Sequence, residues 1–147
     1  MQVFTPYAKQ YKNANVLDKK RRNKQILEII QIISANNNFD VGWKIPKGVY
    51  NHVNTLKWKG YDSYLMAYLF WLLVEYRNEH EKDECHEYPK SCFYHKSGEI
   101  FWLLRKNFWI KDGFILPDWF SKETCYEHQK LLIEKDRKYY SVKFKEI

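Results

Sequence analysis

The chain has 147 residues, of which 45% are hydrophobic and 18% aromatic, including twelve Tyr, nine Phe and six Trp. That much apolar area excludes a disordered chain, and the length suits one domain, 1–147, with its own core. Lys and Arg number 25 against 18 Asp and Glu, a formal net charge of +7, which favours a polyanionic partner over an acidic one.

The opening Met1-Gln2-Val3-Phe4-Thr5-Pro6 has neither a basic n-region nor an apolar h-region, so the expected location is intracellular: cytoplasmic, or the nucleus in a eukaryotic host. Residues 1 to 15, with Pro6 near the front, read as an extended lead-in. From Leu17 or Asp18 the pattern turns helical. Ile26, Ile29, Ile30 and Ile33 recur at three- and four-residue spacing until Asn36-Asn37-Asn38 ends the helix. On its other side Arg21, Lys24, Gln25 and Glu28 form one polar stripe.

Residues 36 to 59, with Gly42, Pro46 and Gly48, read as loop, and Lys57-Trp58-Lys59 leads out of them. Tyr61 to about Arg77 is apolar on nearly every side and predicts a central helix packed on several faces. It is broken by Tyr and Glu before it reaches the roughly eighteen apolar residues of a membrane span, so no membrane association is expected. Residues 78 to 98 turn to charges, His and Cys and read as an exposed excursion, followed by a short helix at Glu99 to Arg105. Thr124-x-x-Glu127 fits a capping box and starts a last helix at Ser121 or Thr124 that runs to Lys138. With little strand-like alternation, the expected fold is all-α, a helical bundle.

Three groups of residues carry chemistry. Lys19-Lys20-Arg21-Arg22-Asn23-Lys24-Gln25 concentrates cations at a helix start, where phosphates bind, and Glu28 on the same stripe could steady a cationic sugar or imine. His52, Lys57, Trp58 and Lys59 alternate cations with rings that stack on an extruded base or, equally, anchor the core. His128, Lys135, Tyr139 and Tyr140 either extend the same face or belong to a packed helix. Cys85, His86, Cys92 and His95 are zinc-ligand types at a spacing that matches no common module, so no metal and no cofactor are expected. Three cysteines, Cys85, Cys92 and Cys125, argue for reduced thiols rather than a disulfide framework.

The run Met1-Gln2-Val3-Phe4-x-Pro6-Tyr7, then Val16-Leu17-Asp18-x-Lys20-Arg21-x-x-Lys24-Gln25-x-x-Glu28, resembles the start of the pyrimidine-dimer DNA glycosylase family of the phage endonuclease V type. Asn51-His52, Trp58-x-Gly60-Tyr61, and Pro117-x-Trp119 through His128 and Lys135 to Tyr139-Tyr140 follow in the family's order. Ile26 and Val53 stand where the family often has Arg and Pro, and set against the family, residues 78–115 read as an inserted excursion. The resemblance implies a compact helical fold with an extended N-terminal segment threaded between helices. It also implies an α-amine nucleophile at Met1, or at Gln2 if Met1 is removed, and a helix-borne glutamate matched by Glu28. The activity implied is base excision with strand-cleaving lyase chemistry in DNA repair. Its partner would be damaged or modified duplex DNA, bound by a monomer through Arg21, Arg22, Lys24, Gln25, His52, Lys57, Trp58, Lys59, His128, Lys135, Tyr139 and Tyr140. Two other readings stay open: a nucleic-acid-binding protein that keeps the scaffold without the chemistry, and a protein-interaction module such as a viral effector.

Overall fold

The structure is a computed structural model that describes residues 2–37, 45–81, 93–107 and 116–144. Among these residues it is all-α, with helices α1 (Gln10–Val16), α2 (Lys19–Asn37), α3 (Lys47–Tyr50), α4 (Val53–Lys57), α5 (Asp62–Glu81), α6 (Phe93–Asn107), α7 (Lys122–Lys135) and α8 (Arg137–Phe144). The core forms where α2 and α5 pack together. Ile26, Ile29, Ile30 and Ile33 point from α2 into it with no exposed area, and Ile32 joins them. From α5 come Tyr64, Leu65, Tyr68, Leu69, Leu72 and Leu73, which explains why that segment is apolar on several sides: α1, α2 and α6 all pack against it.

The chain departs from the expected elements at several places. The lead-in contains α1, whose Asn13 is buried and exchanges two bonds with the backbone of Tyr7. The expected loop 36 to 59 contains α3 and α4, with His52 capping α4 by accepting from the Asn54 N–H. Gly60 then turns the chain into α5 at φ +90°, a conformation that side chains with a Cβ rarely adopt. Helix α5 runs four residues past Arg77, and α6 starts at Phe93, six before Glu99. Ser97 is buried, so residues 78 to 98 are not wholly exposed, and Ile100 and Leu104 of α6 lie in the core. The capping box is Ser121 with Thr124, not Thr124 with Glu127: each side chain accepts from the other's backbone N–H. The last helix ends at Lys135, and after Asp136 the chain restarts as α8.

Candidate active site

Residues 2 to 8 belong to no helix, and no neighbouring strand among the described residues pairs with them. Side chains of α2, α5 and α7 supply the missing partners. The Gln2 N–H donates to Glu28 Oε2 at 3.2 Å. Gln25 binds the segment in both senses: its oxygen accepts from the Phe4 N–H at 2.7 Å and its Nε2 donates to the Gln2 carbonyl at 3.1 Å. Tyr68 Oη donates to the Phe4 carbonyl at 2.6 Å, His128 Nδ1 accepts from the Thr5 N–H at 2.8 Å, and Gln129 Nε2 donates to the Pro6 carbonyl at 2.9 Å. With the side chains of Val3 and Phe4 buried as well, the segment is held along its length.

The ring of His128 settles its own tautomer. Since Nδ1 accepts from Thr5, Nε2 carries the proton, and the side-chain amide of Gln2, 3.3 Å away, has to turn its oxygen towards it. Burial, reinforced by the charge of Lys57, pushes the imidazole pKa down to about 4, so the ring is neutral at ordinary pH and keeps that acceptor. Residue 2 is therefore fixed three times, by Glu28, Gln25 and His128.

Beside this anchor lies a cleft of about 480 Å³ lined by Gln2, Phe4, Lys20, Arg21, Lys24, Gln25, Glu28 and Lys135. Four cations face one carboxylate there. The volume falls within the range of pockets that take a small ligand or one base. Met1 lies outside the described residues, and Gln2, the first described residue, has its backbone N–H on Glu28. At the rim, Lys135 Nζ lies 5.9 Å from the Phe4 ring.

The structure thus gathers Gln2, Arg21, Lys24, Gln25, Glu28 and Lys135, and adds Lys20, which belongs to the cation run but not to the residues assigned to DNA, and Phe4, which was not expected at the site. Lys20 is traceable in the sequence, for it precedes Lys24 by one helical turn and Glu28 by two. Other expected DNA-binding residues are placed differently. Arg22 is buried and spends its guanidinium on the carbonyls of Ala14, Asn15 and Leu17 and on Glu79. Trp58 is buried, stacked on Tyr64 and edge-on to Trp119, so it offers no face to a base. Tyr140 is buried, its hydroxyl donating to Asp18. Gln25 lines the cleft but bonds the N-terminal segment with both ends of its amide, and His128 sits behind Gln2 rather than in the cleft. Lys57 and Lys59 are exposed outside the cleft, with Lys57 Nζ 3.9 Å from the Trp119 ring; His52 is a helix cap, and Tyr139 is half-buried against Tyr140. Cys85, His86 and Cys92 lie outside the described residues, as does the side chain of His95.

A cleft that sets four cations around one carboxylate carries net positive charge, which attracts anions. A family model for pyrimidine dimer DNA glycosylases matches residues 1–86, more than half of the chain, and the chain belongs to that family. The match spans α1 to α5 and every cleft residue except Lys135. Such a family acts on DNA. Neither a curated protein nor a solved structure shows a significant match. Among the described residues no helix is long and apolar enough to cross a membrane, and no group of three His, Cys, Asp or Glu stands close enough to hold a metal ion.

Proposed function

We propose that this protein excises a damaged pyrimidine from duplex DNA by imine chemistry, with the amine at the chain start as nucleophile and Glu28 as its acidic partner. The observation that carries the reading is the 3.2 Å bond from the Gln2 nitrogen to Glu28 on the wall of a four-cation cleft. An α-amine has an unperturbed pKa of roughly 7.7 to 8.0, so a useful fraction is neutral near pH 7 without any buried lysine. Its lone pair attacks C1′ of the extruded nucleotide, the C1′–N bond breaks, and the base leaves with that electron pair and takes up a proton. The sugar ring opens to an imine. Loss of a C2′ proton then expels the 3′ oxygen and cuts the strand. Glu28 steadies the cationic sugar and serves the proton transfers, while Lys20, Arg21, Lys24 and Lys135 hold the flanking phosphates.

Gln2 is too large for ordinary removal of the residue before it, so the nucleophile is assigned to Met1, with Gln2 taking its place only in a trimmed chain. The test combines intact mass with borohydride trapping on an abasic or dimer-bearing duplex. A covalent adduct mapped to the first residue is the expected result. Protein that binds this DNA tightly yet neither traps nor releases a base would leave a DNA-binding scaffold and end the enzymatic reading.

A further inference from the structure

Arg21 is the cleft cation whose direction is set by two other residues. Its Nη1 donates to both oxygens of Asp18, each at 3.2 Å. Asp18 is itself gripped by Tyr140 of α8, whose Oη donates to the carboxylate and accepts the Asp18 backbone N–H at 3.0 Å. The Tyr140 ring also lies beneath the guanidinium, 5.7 Å from its centre. Burial raises the Tyr140 pKa far above the ordinary tyrosine value, so the hydroxyl keeps the proton it donates. Asp18 occupies only Nη1. Among the described residues Nε and Nη2 of Arg21 have no hydrogen-bond partner, and Arg21 lines the cleft.

We propose that Tyr140 and Asp18 are positioning residues that aim Arg21 at a DNA phosphate in the cleft, so that α8, outside the matched residues 1–86, helps to build the binding site. The inference rests on the reading that the cleft takes DNA. An arginine recognises phosphate through paired, directional N–H groups, so fixing one of them orients the rest and removes rotamer freedom that binding would otherwise have to freeze. A carboxylate this close also opposes the phosphate, and the sign of its net effect is what distinguishes a guide from a competitor.

The experiment measures equilibrium binding to a duplex carrying a tetrahydrofuran abasic analogue, which cannot form an imine. This keeps failure of the relay separable from failure of the glycosylase chemistry, since trapping reads the latter alone. Tyr140→Phe should weaken binding about five- to tenfold when Arg21 is present and less than twofold in an Arg21→Gln background. Equal losses in both backgrounds would overturn the proposal, as would no loss in a folded variant. Asp18→Asn supplies a second reading should Tyr140→Phe unfold. Weaker binding despite the lost negative charge supports a guide, whereas unchanged or tighter binding makes Asp18 a bystander or a competitor and sinks the idea.

Discussion

Arg21 and Arg22 are chemically identical neighbours in the first turn of one helix, yet they do opposite work. Arg21 lines the cleft and bonds Asp18 through Nη1 alone. Arg22 is one step, about 100°, further round, where its Nε and Nη2 tie down the carbonyls that end α1 and its Nη1 meets Glu79 of α5. The difference shows how α2 divides its labour. One stripe, Lys20, Arg21, Lys24 and Glu28, is spent on the site, and the other, Arg22, Ile26, Ile29, Ile30 and Ile33, on the fold.

The largest expected effect comes from the end of the outward stripe. Glu28→Gln keeps shape and hydrogen-bonding capacity but removes the charge, so single-turnover base release should fall by roughly 10²–10⁴-fold. Binding to the uncleavable duplex should hold or tighten slightly, because a negative charge has left the cleft proposed to hold phosphate. An unchanged rate would strip Glu28 of its role and leave the cleft a binding surface. On the inward stripe the same logic predicts loss of stability instead. Arg22→Met strands Glu79 and the carbonyls of Ala14 and Leu17, a cost of about 3 kcal/mol, read as a lower midpoint in denaturant. The salt dependence of DNA binding by the folded variant should not move. If it does, Arg22 reaches DNA in the complex and the division between the stripes fails.

Much of this division is legible in the sequence, and the errors have identifiable causes. Ile26, Ile29, Ile30 and Ile33 announce the buried stripe by their spacing. The same spacing places Arg22 on it, since Arg22 precedes Ile26 by four residues and Ile30 by eight; the unbroken run of cations from Lys19 to Lys24 masks this. Ser121 and Thr124 are two hydroxyls three apart, and a sequence pattern cannot tell which of them is the cap until the chain direction is known. Helix α1, Gln10-Tyr11-Lys12-Asn13-Ala14-Asn15-Val16, has too few apolar residues for a period to stand out, and it is fixed by bonds to other parts of the chain: Asn13 to Tyr7, and Arg22 to the carbonyls of Ala14 and Leu17. Nor could any local pattern reveal that Tyr68, His128 and Gln129 would serve as hydrogen-bond partners for residues 4 to 6, because those bonds join positions 64 to 123 residues apart.

Acid tests how the N-terminal segment is held. The folded pKa of His128 is about 4 against an ordinary 6.5, so the unfolded chain binds the proton more readily between those values. Stability from this group is complete above about pH 6.5, declines as pH falls, and is exhausted near pH 4, a loss on the order of 3 kcal/mol. Protonation of the folded ring also removes the acceptor for the Thr5 N–H, which should loosen residue 2 against Glu28 and reduce base release as pH falls through about 4. His128→Gln should be less stable at neutral pH and should flatten this part of the pH profile. A profile identical to the parent's would show that other groups govern acid sensitivity.

The smallest effect sharpens the comparison within the outward stripe itself. Lys24 is exposed on a flexible stem, and its ammonium group, unlike the guanidinium of Arg21, has no plane for a neighbour to orient. As a point charge it contributes through counterion release rather than geometry, so Lys24→Ala should weaken binding only a few-fold at moderate salt. The slope of log affinity against log salt should become shallower by about 0.9, the value expected when one fewer phosphate is neutralised. Lys24→Arg should restore both quantities, because any cation serves. Arg21→Lys should recover the slope but not the affinity, since an ammonium cannot keep Asp18 on one donor while presenting a planar pair to phosphate. If Arg21→Lys recovers affinity in full, the guanidinium geometry is irrelevant, and the two cations differ in position alone.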